Sequence, residues 1–310
     1  MHLRCDEDFV EEAVLLCASN RREGIPSLQI RRFHIEREKC YSILDPDERN
    51  AAFFKLHLDW FREWGLEKLI IDLLNEFPQL PGALNVLAFR KARGKNEEAA
   101  ELYVNASTGR NAVVALRVER FKKDELLARF LRHELTHLSD MLDPAFGYSP
   151  GLRLRGPSPA QQRIVRERYR LLWDVTIDGR LSHATHATNT TREQHQAFFD
   201  RAYSFWPENK RREIFDELWS GHSPKHEHLL ALASDPRDLS HAHQPLPGAS
   251  CPLCDFPTFD WADLHALSDV SRASLRAQFP LWTPDQGACK RCVEIYELAG
   301  KFEVPATIIL

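Results

Sequence analysis

A helix-rich α+β fold is predicted for this 310-residue chain by three observations. Apolar residues recur at helical spacing over most of its length. Three short β-type runs are gathered between residues 83 and 120, and four cysteines fall in two close pairs near the C-terminal end. The expectation is a main domain with a small sheet, mostly antiparallel or mixed, and a small C-terminal metal-binding unit. With 43% hydrophobic and 28% charged residues, the chain can bury one large core and one small one.

The elements read in order as follows. Residues 6–19 form a helix, and a second runs over 50–64, crowded with Phe53, Phe54, Leu56, Leu58, Trp60 and Phe61. A third covers 66–77 and stops at Pro78. A strand follows over 83–90, with the turn signal Arg93-Gly94-Lys95-Asn96 behind it. Glu101-Leu102-Tyr103-Val104 is a weaker strand, closed by Ser107-Thr108-Gly109. Residues 112–120 are the clearest strand, and are read as the edge beside which an extended peptide could add.

Asp124 then reads as an N-cap, and Pro144 stops the helix that begins there. Between them Leu127, Leu131, Leu135, Leu138 and Leu142 form an apolar stripe. A Pro/Gly-rich connection spans 143–159. A long helix covers 160–182, and further helices lie within 191–219. The expected division is a helical N-terminal region (1–80) packed on a main domain (81–236), a linker (237–250) and a four-cysteine unit (251–310).

The formal net charge of −4 lays down no electrostatic footprint for nucleic acid or an anionic membrane. The N-terminus shows no apolar leader core, and no run approaches the ~20 apolar residues of a membrane span. A cytoplasmic protein is expected. Two C-x-x-C pairs and three single cysteines (Cys5, Cys17, Cys40) suit metal binding in a reducing compartment better than disulfides.

The chemistry centres on His133-Glu134-Leu135-Thr136-His137, set on the side of its helix away from the leucines. Residues four apart share a helix face, so both imidazoles can converge on one metal ion, with Glu134 turned toward a water. The motif behind its strands resembles the zincin metallopeptidases, specifically their gluzincin branch. The resemblance implies a zinc-activated water with Glu134 as general base, a protein or peptide substrate, and a third, carboxylate ligand on a later helix.

Asp174 and Asp178, in Leu172-Trp173-Asp174-Val175-Thr176-Ile177-Asp178, supply that carboxylate. Matched to the gluzincin Glu-x-x-x-Asp pattern, Asp174 would ligate and Asp178 would support a histidine. Matched to the Trp-Asn-x-x-x-Asp pattern of smaller families, Asp178 would ligate, and it is preferred. The metzincin template points instead to Asp143, although Asp140 stands where that template needs glycine. His183 and His186 are further options, and salt bridging of the aspartates to Arg170 or Arg180 is the structural alternative. Tyr148, Tyr203, His222 and His226 are the candidates to stabilise an oxyanion.

Cys251-Pro252-Leu253-Cys254 and Cys289-Lys290-Arg291-Cys292, with 34 residues between the pairs, suit a closed tetrahedral zinc. They resemble treble-clef or zinc-ribbon knuckles. Two zinc ions are therefore expected, one catalytic and one structural. Two other functions stay open: a protease acting on nucleic-acid-bound proteins, similar to the SprT-type family, and a non-catalytic scaffold held by two structural zincs.

Overall fold

The computed structural model describes residues 1–20, 22–105, 109–149, 159–234, 245, 248–264, 267–280 and 282–302. Much of the expected connection 143–159 and linker 237–250, and residues 303–310 of the C-terminal unit, lie outside this set. The architecture is α+β: a small four-stranded mixed sheet among many helices, followed by a cysteine cluster. Contacts divide the chain into two compact units. The first comprises Met1–Leu152, Asp174–Gln196 and Phe215–His226; the second comprises Arg153–Trp173, Ala197–Ile214 and Glu227–Leu310.

The first unit opens with β1 (His2–Cys5), α1 (Glu7–Ser19), α2 (Ser27–Cys40), α3 (Pro46–Glu63), α4 (Leu66–Leu74) and the single turn α5 (Leu80–Ala83). Strands β2 (Val86–Lys91), β3 (Ala99–Asn105) and β4 (Gly109–Leu116) follow, then α6 (Asp124–Leu142). Helix α3 starts where Asp45 accepts the Asp47 and Glu48 N–H groups and Pro46 presets the first turn. Asp124 is not the N-cap of α6: Lys123 holds that place, in extended conformation, and Asp124 in the first turn pairs with Arg22.

The sheet order is β1-β2-β4-β3. β1 and β4 both run parallel to β2, and β3 is antiparallel to β4. The expectation that residues 112–120 form an edge is corrected here. β4 is hydrogen-bonded on both sides, and β1 and β3 are the edges of the described sheet. Moreover, residues 118–122 leave the strand as a 3-10 turn.

Phe61 meets Phe9 and Phe121 edge-on in the core, and Phe9 and Phe121 are tilted to one another, with ring centroids 5.7–6.1 Å apart. The same cluster contains Leu87, Phe89 and Val114 from the sheet and Leu127, Leu131, Leu135 and Leu138 from α6. The leucine stripe thus turns inward as its spacing requires, leaving His133 and His137 together on another face of α6. Among the described residues no helix is long and apolar enough to cross a membrane.

α7 (Pro159–His183) and α8 (Arg192–Ala202) come next, followed by α9 (Glu208–Trp219) and α10 (His226–Ser234). The C-terminal part of the second unit carries α11 (Asp269–Gln278) and α12 (Lys290–Phe302). They pack on a small cluster of Leu267, Leu275, Trp282, Ala288 and Val293.

Candidate metal centre

His133 and His137 project from one face of α6, their ring centroids 4.9 Å apart. Asp174 on α7 faces both: its Oδ1 lies 3.0 Å from His137 Nε2 and 3.5 Å from His133 Nε2. Ligands on a tetrahedral zinc with bonds of ~2.0–2.1 Å stand about 3.3 Å apart, so these spacings fit the corners of one coordination sphere. His133, His137 and Asp174 form a group that could hold a metal ion.

Asp178, one turn along α7, has a different place. Its Oδ1 accepts a hydrogen bond from His133 Nδ1 at 2.7 Å, and its Oδ2 one from His195 Nε2 at 2.8 Å. It is fully buried. A carboxylate that accepts a hydrogen bond from Nδ1–H leaves the Nε2 lone pair of a neutral His133 free to act as a ligand atom. Burial alone would raise the Asp178 pKa, but hydrogen bonds from His133 and His195 hold it below the usual carboxylate range.

His195 carried no spacing signal in the sequence. It sits in the first turns of α8, whose start is set by a capping box: Thr191 Oγ1 accepts the Gln194 N–H, and Gln194 Oε1 accepts the Thr191 N–H. Thr191 followed by Gln194 could have been read as that box. Nothing local, however, marks the next residue as a partner for Asp178.

Glu134 points to the sheet edge, where its Oε2 accepts the Ala100 N–H at 2.7 Å. That amide faces away from β4, and the alternation of an antiparallel strand turns the backbone groups of Leu102 and Val104 the same way. The start of β3 is clamped by Glu98, a buried residue that accepts Arg117 N–H at 3.1 Å and the Arg120 guanidinium at 3.0 and 2.9 Å. Arg120 in turn stands 4.7 Å over the Phe130 ring of α6. This chain of contacts sets the edge strand against the motif helix.

Arg180 does not pair with either aspartate of interest. It forks onto buried Asp140 of α6 at 2.8 and 2.5 Å, tying the two helices together. With Asp140 so engaged, α6 runs on unbroken to Leu142. Asp143 is exposed and accepts the Ala145 N–H at 2.8 Å in a turn. Close packing helps seat Asp178: a Cβ on the adjacent Gly179 would lie 2.6 Å from the Trp219 carbonyl oxygen.

Of the remaining sequence candidates, His183 is exposed beside Gly221, and His186 is half-buried. His222 is exposed, its Nδ1 2.8 Å from Ser220 Oγ. Tyr148 and His226 stack edge-on at 5.5 Å. Tyr203 belongs to the second unit, where burial pushes its hydroxyl pKa up.

The second unit brings Cys251, Cys254, Cys289 and Cys292 together, their sulfurs within 4.8 Å of one another, so that they could hold a metal ion. Cys251 Sγ accepts the Cys289 N–H at 3.3 Å, and Cys289 Sγ the Cys292 N–H at 3.4 Å. The first knuckle turns at Asp255, with φ of 61°, where its N–H donates to Cys251 O at 2.8 Å. Burial would raise the Cys251 pKa, yet backbone N–H groups lower it, which favours thiolate. By contrast, burial pushes Cys17 up to about 11 and Cys5 up to about 12, as befits packed, unreactive thiols. No family model, curated protein or solved structure matches this chain.

Proposed function

We propose that the protein is a zinc-dependent peptidase in which His133, His137 and Asp174 hold the catalytic ion, Glu134 is the general base, and Asp178 orients His133. These roles exchange the sequence-based preference between the two aspartates. The observation that carries the reading is the convergence of two imidazole nitrogens and one carboxylate oxygen beside a carboxylate lodged at a sheet edge.

Zinc, when bound, supplies Lewis acidity toward a carbonyl and toward water. The chain's own groups do the rest. Asp178 keeps His133 in the tautomer that offers Nε2. Glu134 has one oxygen on Ala100 N–H and the other left to take a proton from the attacking water and pass it to the leaving amine. The outward backbone groups of Leu102 and Val104 suit an extended peptide lying along β3.

The scaffold alternative needs a closed site with four protein ligands. Both oxygens of Asp178 are engaged by histidines, which favours a three-ligand site with an open position. The four cysteines are proposed to hold a structural zinc, in a unit serving recognition.

The test is cleavage of an unstructured protein such as casein, and of a mixed peptide library, by zinc-loaded wild type and by Glu134→Gln. Wild type should cut; the variant should retain its zinc and lose about 10²–10⁴-fold in rate. Equal cutting by both would remove Glu134 from its role. Zinc-independent binding of DNA at low salt would favour the nucleic-acid-associated alternative.

A further inference from the structure

The second unit contains a cavity of about 320 Å³. It is bordered by Ile164, Arg168 and Leu171 of α7, by Arg201 and Phe205, and by Phe259 from the cysteine-bearing segment. Its wall is mainly apolar, and the volume is at the small end of those that take organic ligands.

Arg168 is out of place in such a wall. It is only 5% exposed, and its Nη2 is buried with no hydrogen-bond partner among the described residues. Its guanidinium stands 5.6 Å from the Tyr203 ring centroid and 5.2 Å from that of Phe205. Those faces attract the cation but offer no lone pair along its N–H directions. Burial lowers the Arg168 pKa, a sign that the fold does not repay the lost hydration. Buried arginines are ordinarily met by a carboxylate or carbonyl.

We infer that this cavity binds a small carboxylic acid with an aromatic or aliphatic body, its carboxylate held at the Arg168 guanidinium and its body covered by Ile164, Leu171 and Phe205. The planar Arg168 guanidinium matches a carboxylate in shape and charge. Arg201 and Glu167, both also at the cavity, offset one another, which leaves one net positive charge and favours a monoanion over a dianion such as a phosphate ester. This assignment is independent of the metal centre, whose residues belong to the first unit.

Isothermal titration of the full zinc-loaded chain tests it, with 3-phenylpropionate and octanoate as probes, and 3-phenylpropionamide and phenyl phosphate as comparisons. At least one carboxylate should bind saturably, and the amide at least about tenfold more weakly. Arg168→Met should also weaken binding at least about tenfold, while melting no lower than wild type because an unpaired buried charge has been removed. Should that variant fail to fold, Ala202→Phe keeps the cation, fills the cavity and should abolish binding. The inference is overturned if neither acid saturates below about 10 mM. Equal binding of acid and amide, tighter binding of phenyl phosphate, or an unchanged affinity in Arg168→Met would overturn it equally.

Discussion

Asp178 accepts a hydrogen bond from His195 Nε2 at 2.8 Å through the oxygen that His133 leaves unused. Asp178 is fully buried, so its charge depends on both histidines. His195→Ala should therefore loosen the carboxylate and lower zinc affinity at the His133/His137 site by about 10–100-fold. The four-cysteine site should keep its affinity. Competition with a chromophoric chelator reads both; equal weakening of the two sites would mean general unfolding.

The two aspartates should respond differently. Asp174→Ala removes an oxygen 3.0 Å from His137 Nε2, and the zinc content should fall from two to one. His137→Ala should do the same. Asp178→Asn should still load two zincs, with the first bound more weakly. Full zinc in Asp174→Ala, beside loss in Asp178→Asn, would restore Asp178 as the ligand.

The site also sets a pH dependence. In the metal-free protein burial alone would depress the His133 pKa, but hydrogen bonds and charges from Asp174 and Asp178 outweigh it and hold the pKa well above its usual value. Burial alone would raise Asp174, yet His133 and His137 hold it low. The raised histidine stabilises the fold below about pH 6.5, and that contribution is lost as pH rises through its folded pKa. The depressed aspartates stabilise it above about pH 4, and that is lost on acidification. Metal-free protein should thus melt highest between these limits. Zinc must displace the His133 proton, so its apparent affinity should fall as pH drops, by up to about tenfold per unit. Affinity independent of pH from about 6 to 8 would contradict this.

Gly179→Ala should be costly despite the helical propensity of alanine. The new Cβ would meet the Trp219 carbonyl at 2.6 Å, and backbone cannot swing aside as a side chain can. A loss of about 1–3 kcal/mol is expected, read as a lower melting temperature. Zinc binding should weaken with it, because α7 must shift beside Asp178. An unchanged melt would show that the helices separate freely.

Cys292→Ser should unfold the C-terminal part of the second unit while leaving the first intact. Its apolar cluster is small, and it includes Trp282, whose indole N–H donates to Gly287 O at 2.9 Å. A cluster this small is expected to depend on the proposed zinc for its fold. Amide exchange over residues 251–298 should rise to that of open chain, with α6 still protected. Retained protection would mean that the thiols need no metal.

Periodicity carried much of the fold. The leucine stripe placed α6 and its inward face, and the β-type runs located β2, β3 and β4 in the chain. β1 escaped notice because His2–Cys5 is four residues long and joins the sheet only through β2, more than eighty residues away. α2 escaped because its arginines and glutamates leave Phe33 and Cys40 as the buried positions, too few for a stripe. Strand order is a matter of long-range pairing, so the clearest strand by composition, β4, proved to be interior, while the more polar β3 took one edge.

By itself the sequence determined which residue types could share a helix face. It put His133 with His137, turned Glu134 aside, spaced Asp174 and Asp178 one turn apart, and paired the cysteines. Those are local facts of helix and knuckle geometry. The tertiary structure decided which aspartate oxygen meets the histidine Nε2 atoms, and it placed His195 behind Asp178. It also brought Ala100 to Glu134 and left Arg168 Nη2 without a hydrogen-bond partner among the described residues. Each of these depends on how separate segments pack, and side-chain spacing along one segment carries no information about where another will lie.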